Sequence, residues 1–403
     1  LEGLPADWVE AHPPGEDGLV TVTTDYPDAI PFRTFARDAD ARRELVVAQL
    51  TIGYPDNVEV LREIFGLRAE LATLLGYDNW PDFDAEVKMI GKGDAIGAFI
   101  DKIADAALEP ARRDVDILLA RLRQDRPDAT HVESSDSGYY AEVHRREELD
   151  VDAQQVRTYF DFGKVRAGLL DVTGRLFGLT YSPADVPVWH EAVRAYDVSR
   201  TDDGAPLGRI YLDLHPREGK FKHAAQFTLT NGVAGRQVPE GVLVCNFPTG
   251  LMEHDDVVTL FHEFGHLVHH LIGGQQAWAE FSGVATEWDF VEAPSQMLEE
   301  WAWDPSVLGS FATNAAGEPI PADLVERMRA ADDFGKGYFA RTQMFYAALS
   351  YRLHLENPDD LVARTRELQE QYSLFPYMDG TCMPTSFGHL DGYGSGYYTY
   401  MWS

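Results

Sequence analysis

Apolar residues recur at three- and four-residue spacing through much of this 403-residue chain. That spacing is typical of helices with one buried face. The polar stretch 126–138, which contains Pro127, Ser134 and Ser135, is instead predicted to be a loop. The predicted helices cover residues 43–50, 56–76, 95–126 with an interruption near Pro110, 151–177, 322–331, 338–355 and 358–372.

Three short segments have the apolar or alternating pattern of strands, and they cover residues 209–215, 225–230 and 241–247. They are few compared with the helices and lie close together in the chain. The predicted fold class is therefore mainly α, with one small β-sheet.

The most regular helical pattern follows the third strand. Asp255 and Asp256 are predicted to cap this helix, and Gly273 with Gly274 to end it. One apolar stripe is formed by Val257, Leu260, Phe261, Phe264, Leu267, Val268 and Leu271. At about 100° per residue, the opposite face carries histidines where an ordinary surface helix would carry Lys and Glu.

His262, Glu263 and His266 form the motif H-E-x-x-H on this helix. Two histidines four residues apart can bind one zinc ion, and the glutamate beside them can act as a general base. Only three positions are fixed, so the motif alone leaves a chance match open. His269 lies about 10 Å along the axis from His262, too far to share the ion, so His269 and His270 are expected in the core or behind the ligands.

A catalytic zinc ion needs a third protein ligand and one open position. Spacing alone does not choose among the downstream carboxylates, which are Glu287, Asp289, Glu292, Glu299 and Glu300. On a helix, three of them would share a face flanked by apolar residues, so part of that face is expected to be buried. Buried acids require partners, and a metal ion would be one.

Charge and composition narrow the function classes. The formal net charge of -32 argues against nucleic-acid binding, which requires clustered Lys and Arg. Cys245 and Cys382 are too few for a disulfide-rich secreted scaffold. No run of about 18 apolar residues predicts a membrane span.

Several segments together resemble the thimet oligopeptidase family of zinc peptidases, which includes neurolysin, bacterial oligopeptidase A and the bacterial dipeptidyl carboxypeptidases. The segments are "FHEFGH", "FSG" and "DFVEAPSQMLE", with "YLDLHPREGKFKHAA" and "VLVCNFP" before them and "SFGHLDGYGSGYYTYMWS" after them. The resemblance covers nearly the whole chain. It also implies that both ends lie inside the length of family members, so the chain is expected to be a piece of a longer protein.

The resemblance implies that His262, His266 and Glu292 bind one zinc ion and that Glu263 is the general base. The spacing from His266 to Glu292 is one residue longer than in thimet oligopeptidase, and the extra residue is assigned to the loop 273–278. Asp289 is expected to support the ligands from behind.

The C-terminal segment "HLDGYGSGYYTY" spans residues 389–400 and is called the tyrosine segment below. By itself it could be a Tyr- and Gly-rich loop packed on the surface. The resemblance, despite a linker one residue short, implies a catalytic role for three of its residues, His389, Tyr393 and Tyr400. Substrate binding is expected at Tyr397, Gly392 and Gly394.

Two upstream segments have open interpretations. Asp213, His215, Arg217 and Lys220 could form ordinary salt bridges at a strand end or a polar wall of the substrate channel. Residues 242–247 could be a core strand, or an edge strand that receives an extended peptide by main-chain pairing.

The predicted function is a zinc-dependent endopeptidase for short peptides, with helices lining a deep channel as in the family. Residues 1–403 are assigned to one catalytic domain, with a helical lobe at 1–150 and a zinc-binding lobe at 151–403. A dipeptidyl carboxypeptidase, or a zinc-containing peptide binder without activity, remains an alternative. We expect a cytoplasmic monomer with no nucleic-acid or membrane partner.

Overall fold

The computed structural model describes all 403 residues as a mainly helical protein with one five-stranded sheet. The strands are β1 (Leu179–Pro183), β2 (Arg194–Arg200), β3 (Pro206–Asp213), β4 (Ala225–Thr230) and β5 (Glu240–Val244). The α-helices are α1 (Ala6–Ala11), α2 (Tyr26–Phe35), α3 (Ala39–Leu50), α4 (Asn57–Leu74), α5 (Trp80–Ala85), α6 (Gly93–Asp125), α7 (Ser134–Glu148), α8 (Ala153–Val156), α9 (Phe162–Phe177), α10 (His254–Ile272), α11 (Ala293–Glu299), α12 (Pro305–Leu308), α13 (Ala322–Asp332), α14 (Lys336–Glu356), α15 (Leu361–Tyr372), α16 (His389–Gly392) and α17 (Thr399–Trp402).

The predicted loop at 126–138 is wrong in its second half, because α7 begins at Ser134. This helix is polar, and tertiary contacts compensate for its weak apolar pattern. The carboxylate of Asp136 is buried and accepts a hydrogen bond from Arg42 at 2.7 Å, and it also pairs with Arg126. A buried carboxylate requires such partners, so the ion pairs hold α7 in place.

The predicted interruption at Pro110 is also wrong, because α6 continues through it to Asp125. A proline inside a helix removes one main-chain hydrogen bond. Packing against α14 offsets this loss, and the two helices meet closely there. A Cβ atom at Gly337 would lie 2.4 Å from the main-chain nitrogen of Ala111, so only glycine allows this approach.

The predicted helix over 151–177 is two helices. After α8, a single 3-10 turn leads to Asp161, whose side chain accepts the main-chain N–H of Lys164 and caps α9. Gly178 ends α9 with a φ of +66°, a conformation that glycine adopts without strain.

The sheet has the strand order β1-β2-β3-β5-β4. Only β3 and β5 pair in parallel, and the other neighbours are antiparallel. Since β5 lies between β3 and β4, the edge-strand prediction for residues 242–247 is wrong and the core-strand alternative is right. The edge strand on this side of the sheet is β4, while β1 and β2 were not predicted from the sequence.

Helix α10 packs its apolar stripe on the sheet and on α11 within a cluster of 34 buried residues. A second cluster of 19 buried residues combines residues 61–104 with residues 344–398, so the C-terminal part of the chain packs on helices near its beginning. The division at residue 150 stays a prediction. No helix combines the length and the apolar character needed to cross a membrane.

Asp213, Arg217 and Lys220 form the predicted salt bridges at the end of β3. Asp213 accepts two hydrogen bonds from Arg217, at 2.6 and 2.8 Å, and one from the Trp189 indole at 2.8 Å. The Lys220 ammonium lies 3.1 Å from the same carboxylate and donates to three main-chain carbonyls, one of them that of Cys245. These contacts join the ends of β3 and β5.

Candidate metal centre

The N-cap of helix α10 is Glu253, two residues before Asp255, the first of the predicted caps. The Glu253 side chain accepts a main-chain N–H of the first turn, and the Asp256 carboxylate accepts the N–H of Glu253 in return. This reciprocal capping box satisfies two free donors at the helix start. The helix ends at Gly273, as predicted.

His262, His266 and Glu292 come together although the third residue lies on another element. The Nε2 atoms of the two histidines are each 3.2 Å from Oε2 of Glu292, and all three candidate ligand atoms lie within 4.8 Å of one another. Glu292 is the N-cap of α11 and is 1% exposed. None of the other candidate carboxylates forms such a group with both histidines.

Gly265 explains why α11 can lie so close to the histidines. A Cβ atom at this position would be 2.7 Å from the Cα of Ser295 and 2.8 Å from the carbonyl oxygen of Pro294. Any side chain would therefore push α11 away and carry Glu292 out of reach. The glycine inside H-E-F-G-H is a packing requirement of the site.

The three residues fit a zinc ion. Two imidazole nitrogens and one carboxylate oxygen are a donor set of catalytic zinc sites, which keep one position open. The Nδ1 atom of His262 contacts Oε1 of Glu299 at 2.6 Å, so its Nε2 atom is left to face the ligand group. Such contacts fix the tautomer and orientation of a metal-binding imidazole.

The surrounding side chains favour the charged form of the Glu292 carboxylate. Burial alone would raise the pKa of Glu292, but hydrogen bonds with His262 and His266 hold it well below its usual range. Burial would likewise lower the pKa of His262, while its contacts with Glu292 and Glu299 raise it to about 10. The carboxylates of Glu292 and Glu299 therefore stabilise positive charge at the His262 ring.

Glu263 has the position expected of a base at this centre. It is 8% exposed and follows the ligand His262 directly in α10. Burial raises the pKa of its carboxyl group, while the two neighbouring histidines oppose that rise. A carboxylate whose pKa lies above the usual range is better suited to carry a proton near neutral pH.

Asp289 has no hydrogen bond with His262 or His266, and its predicted support of the ligands stays a prediction. Its carboxylate accepts the main-chain N–H groups of Met89 and Ile90, at 2.8 and 3.0 Å, and the Tyr398 hydroxyl at 2.9 Å. Glu299 supports His262. The sequence offered Glu299 only as one of several possible ligands.

The tyrosine segment reaches the metal centre through a chain of hydroxyl groups. Tyr393 donates to Oε1 of Glu292 at 2.9 Å, and Tyr400 donates to the Tyr393 hydroxyl at 3.0 Å. Nε2 of His389 lies 3.2 Å from the Tyr400 hydroxyl. Burial lowers the pKa of His389 to about 4, and a neutral ring with its proton on Nε2 satisfies all these contacts.

The residues predicted to bind substrate have varied surroundings. Tyr397 is buried and donates to Oε1 of Gln343 at 3.0 Å, while its ring lies 4.9 Å from that of His389. A Cβ atom at Gly392 would meet open space. Gly394 has a φ of +55° and packs against Asp84. Substrate binding by all three residues stays a prediction.

His269 and His270 are not part of the candidate ligand group. His270 is fully buried, and its Nε2 atom lies 3.0 Å from the carbonyl oxygen of Glu240 in β5. It is therefore a core histidine, one of the two alternatives predicted. His269 is half-buried and its Nδ1 atom has no hydrogen-bond partner.

Comparison with known proteins shows the family of the chain. Residues 34–403 match the family described as Peptidase family M3. The whole chain aligns with a thimet-like oligopeptidase of Dictyostelium discoideum at 32% identity, covering 64% of that protein. It also aligns over its whole length with saccharolysin of Saccharomyces cerevisiae at 31% identity and with oligopeptidase A of Salmonella typhimurium at 32%, covering 61% and 63% of them.

The chain thus spans about three fifths of the length of these relatives. The names of further relatives point to more than one compartment. One relative from Arabidopsis thaliana is called a probable cytosolic oligopeptidase A, and another an organellar oligopeptidase A of chloroplasts and mitochondria.

Proposed function

The chain belongs to peptidase family M3, and from this premise we propose that it is a zinc-dependent endopeptidase that hydrolyses short peptides. The observation that carries the proposal is the meeting of His262, His266 and Glu292 beside Glu263. This arrangement combines three zinc ligands and a general base, which are the parts required for metal-assisted hydrolysis.

A bound zinc ion would act as a Lewis acid: it would lower the pKa of a bound water to about 7 and polarise a carbonyl group. Glu263 accepts a proton from the attacking water and delivers it to the leaving amine as the peptide bond breaks. Its raised pKa supports both transfers. His262, His266 and Glu292 would hold the ion, and Glu299 keeps His262 oriented.

Tyr393 and Tyr400 stabilise the negative charge that develops on the scissile carbonyl oxygen. Their hydroxyls lie beside Glu292 and contact each other, so a small reorientation directs a phenol proton toward the substrate. His389 donates to the Tyr400 oxygen from behind. Preformed donors of this kind act mainly on the transition state.

The edge strand β4 supports binding of an extended peptide. Its residues Phe227 and Leu229 are 43% and 47% exposed, and the main-chain N–H of Gln226 lies close enough to the Glu263 carboxylate to lower its pKa. A peptide paired with the free edge of β4 would therefore pass next to the base.

A quenched fluorogenic peptide tests the proposal directly. We expect turnover that a chelator abolishes and added zinc restores, and that Glu263→Gln removes. Binding of the same peptide with no cleavage in the zinc-loaded protein would instead support the alternative of an inactive peptide binder.

The dipeptidyl carboxypeptidase alternative predicts different products. A decapeptide with a free C-terminus would lose dipeptides one after another from that end, whereas an endopeptidase cuts it internally. The same decapeptide with an amidated C-terminus is the matched control, because amidation blocks only an enzyme that recognises the terminal carboxylate. We propose internal cleavage of both forms, by a monomer in the cytoplasm.

A further inference from the structure

We propose that two carboxylates, Asp84 and Asp289, position the catalytic tyrosines by anchoring the residues between them. The anchored residues are Ser395 and Tyr398, which lie within the tyrosine segment but outside the reacting group. The inference rests on the proposed function, because positioning has a catalytic meaning only if Tyr393 and Tyr400 act on substrate.

The first anchor is the buried carboxylate of Asp289, which is 1% exposed. It accepts the hydroxyl of Tyr398 at 2.9 Å and the main-chain N–H groups of Met89 and Ile90 at 2.8 and 3.0 Å. Tyr398 itself is fully buried. One carboxylate therefore joins the turn after α5 to the tyrosine segment.

Asp289 is also connected to Glu292, the candidate metal ligand. Asp289 precedes Glu292 by three residues, and the ring of the neighbouring Trp288 lies edge-on to Tyr393 with a centroid separation of 5.4 Å. Tyr393 in turn donates to Glu292. A displacement of Tyr398 would therefore move the hydroxyl groups relative to the ligand that they contact.

The second anchor is Asp84 at the end of α5. Its Oδ2 atom accepts both the hydroxyl and the main-chain N–H of Ser395, at 2.5 and 3.0 Å. Its Oδ1 atom lies 2.8 Å from the ammonium group of Lys88, whose side chain is 4% exposed. This ion pair fixes the direction of the Asp84 carboxylate.

The main chain between the anchors is held as well. Ser350 of α14 is fully buried and donates to the carbonyl of Gly394 at 2.8 Å, while its oxygen accepts the N–H of Tyr397 at 3.3 Å. The glycines leave this stretch little intrinsic stiffness. Its order therefore depends on Asp84, Asp289 and Ser350, and a misplacement of about 1 Å in a catalytic group can cost roughly 100-fold in rate.

Two variants that each remove one hydroxyl group test the proposal, Tyr398→Phe and Ser395→Ala. Both keep the size of the side chain close to the original, so the protein is expected to fold and bind zinc. We expect kcat to fall about tenfold to 100-fold in Tyr398→Phe, and less in Ser395→Ala, where the main-chain contact with Asp84 remains. KM should change little.

A double-mutant cycle with Tyr400→Phe separates positioning from general stability. If Tyr398 acts through Tyr400, then Tyr398→Phe should cost much less kcat in the Tyr400→Phe background than in the wild type. The same cycle with Tyr393→Phe covers the other hydroxyl. An unchanged cost in both backgrounds, or full kcat in Tyr398→Phe, would overturn the proposal.

Hydrogen–deuterium exchange provides a readout that does not depend on activity. We expect faster exchange of the amides of residues 393–400 in Tyr398→Phe, with unchanged exchange in α10. Unchanged exchange in both regions would refute the anchoring itself. A wild-type protein without zinc-dependent turnover would instead refute the proposed function, and the exchange result would still decide whether Asp289 orders the tyrosine segment.

Discussion

Oε1 of Glu299 lies 2.6 Å from Nδ1 of His262, on the side of the ring away from the ligand group. Nε2 of the same ring is 3.2 Å from Glu292. The two carboxylates therefore contact opposite nitrogens of one imidazole. Glu299 lies seven residues after Glu292, so a single short helix, α11, supplies one carboxylate to the metal position and one to the orientation of its ligand.

Removal of the Glu299 carboxylate should weaken zinc binding without abolishing it. Loss of such an orienting partner typically lowers metal affinity about 10- to 100-fold, and we expect this range for Glu299→Ala in a chelator competition titration. Glu300→Ala is the matched control, because the next residue carries an exposed carboxylate that pairs only with Arg329. Equal zinc affinity in the two variants would contradict the orienting role.

Loss of a ligand should have a larger effect. His262→Ala, His266→Ala and Glu292→Ala each remove one of three protein ligands, so each purified variant should contain little zinc by elemental analysis. Full zinc occupancy in Glu292→Ala would transfer the third ligand to another carboxylate, with Glu287 or Asp289 to be tested next.

Glu263→Gln should keep its zinc but lose turnover. The amide has nearly the same shape as the carboxylate and cannot accept the proton of the attacking water. Elemental analysis and a fluorogenic peptide assay on the same preparation measure the two properties together. Near-normal turnover in a zinc-loaded Glu263→Gln protein would rule out the general-base role.

The tyrosine hydroxyls should contribute mainly to the transition state. Removal of one oxyanion donor typically costs about 10²–10³ in kcat, so we expect Tyr393→Phe and Tyr400→Phe each to lower kcat strongly with little change in KM. Steady-state kinetics with one peptide and equal zinc content measure both constants.

The control for these variants must be a tyrosine outside the network. Tyr398 is unsuitable, because it is buried and its hydroxyl donates to Asp289. Tyr54→Phe is suitable, because Tyr54 is 40% exposed. A Tyr398→Phe variant more damaged than Tyr400→Phe would invalidate the assignment of the reacting hydroxyls.

Stability should depend on pH through Glu142, a buried carboxyl group in α7. Burial raises its pKa from 4.5 to about 7, so the folded state favours the protonated form. Its contribution to stability is fully present below about pH 4.5 and is lost as the pH rises through about 7. The loss amounts to roughly 3 kcal/mol at most.

Glu142→Gln should therefore gain stability relative to the wild type as the pH rises from 5 to 8. The difference in Tm between the two proteins at each pH isolates this group, because the other groups titrate in both. Glu148→Gln, at an exposed position near the end of the same helix, is the control. A Tm difference that stays constant with pH would disprove the assignment.

The fold was predictable where one face of an element is apolar over many residues. The apolar stripe of α10 predicted both ends of that helix to within two residues. The strands β1 and β2 were not predicted, because most of their residues are partly or fully exposed. Their alternation of apolar and polar residues is therefore weak. The helix α7 was not predicted because contacts of Asp136 with distant arginines stabilise it, and local sequence does not contain them.

The residues of the candidate site also differ in how far local sequence predicts them. Spacing within one helix identifies His262, Glu263 and His266, since four residues return to the same face. Glu292 required the resemblance to a family, because several carboxylates have equivalent spacing. The contact between Asp289 and Met89 joins residues 200 positions apart, and no local pattern predicts it.

The second core cluster has a consequence for the order in which the chain folds. Phe65, Ile96 and Ile100 are buried against residues of α14 and the C-terminal segment, which the ribosome synthesises more than 200 residues later. During synthesis, the apolar faces of α4 and α6 must remain solvent-exposed or be shielded by chaperones. The tyrosine segment follows these elements in the chain, and its residues Leu390, Tyr397 and Tyr398 complete that core. The candidate metal centre and its tyrosine contacts can therefore assemble only after residues 389–400 have been synthesised.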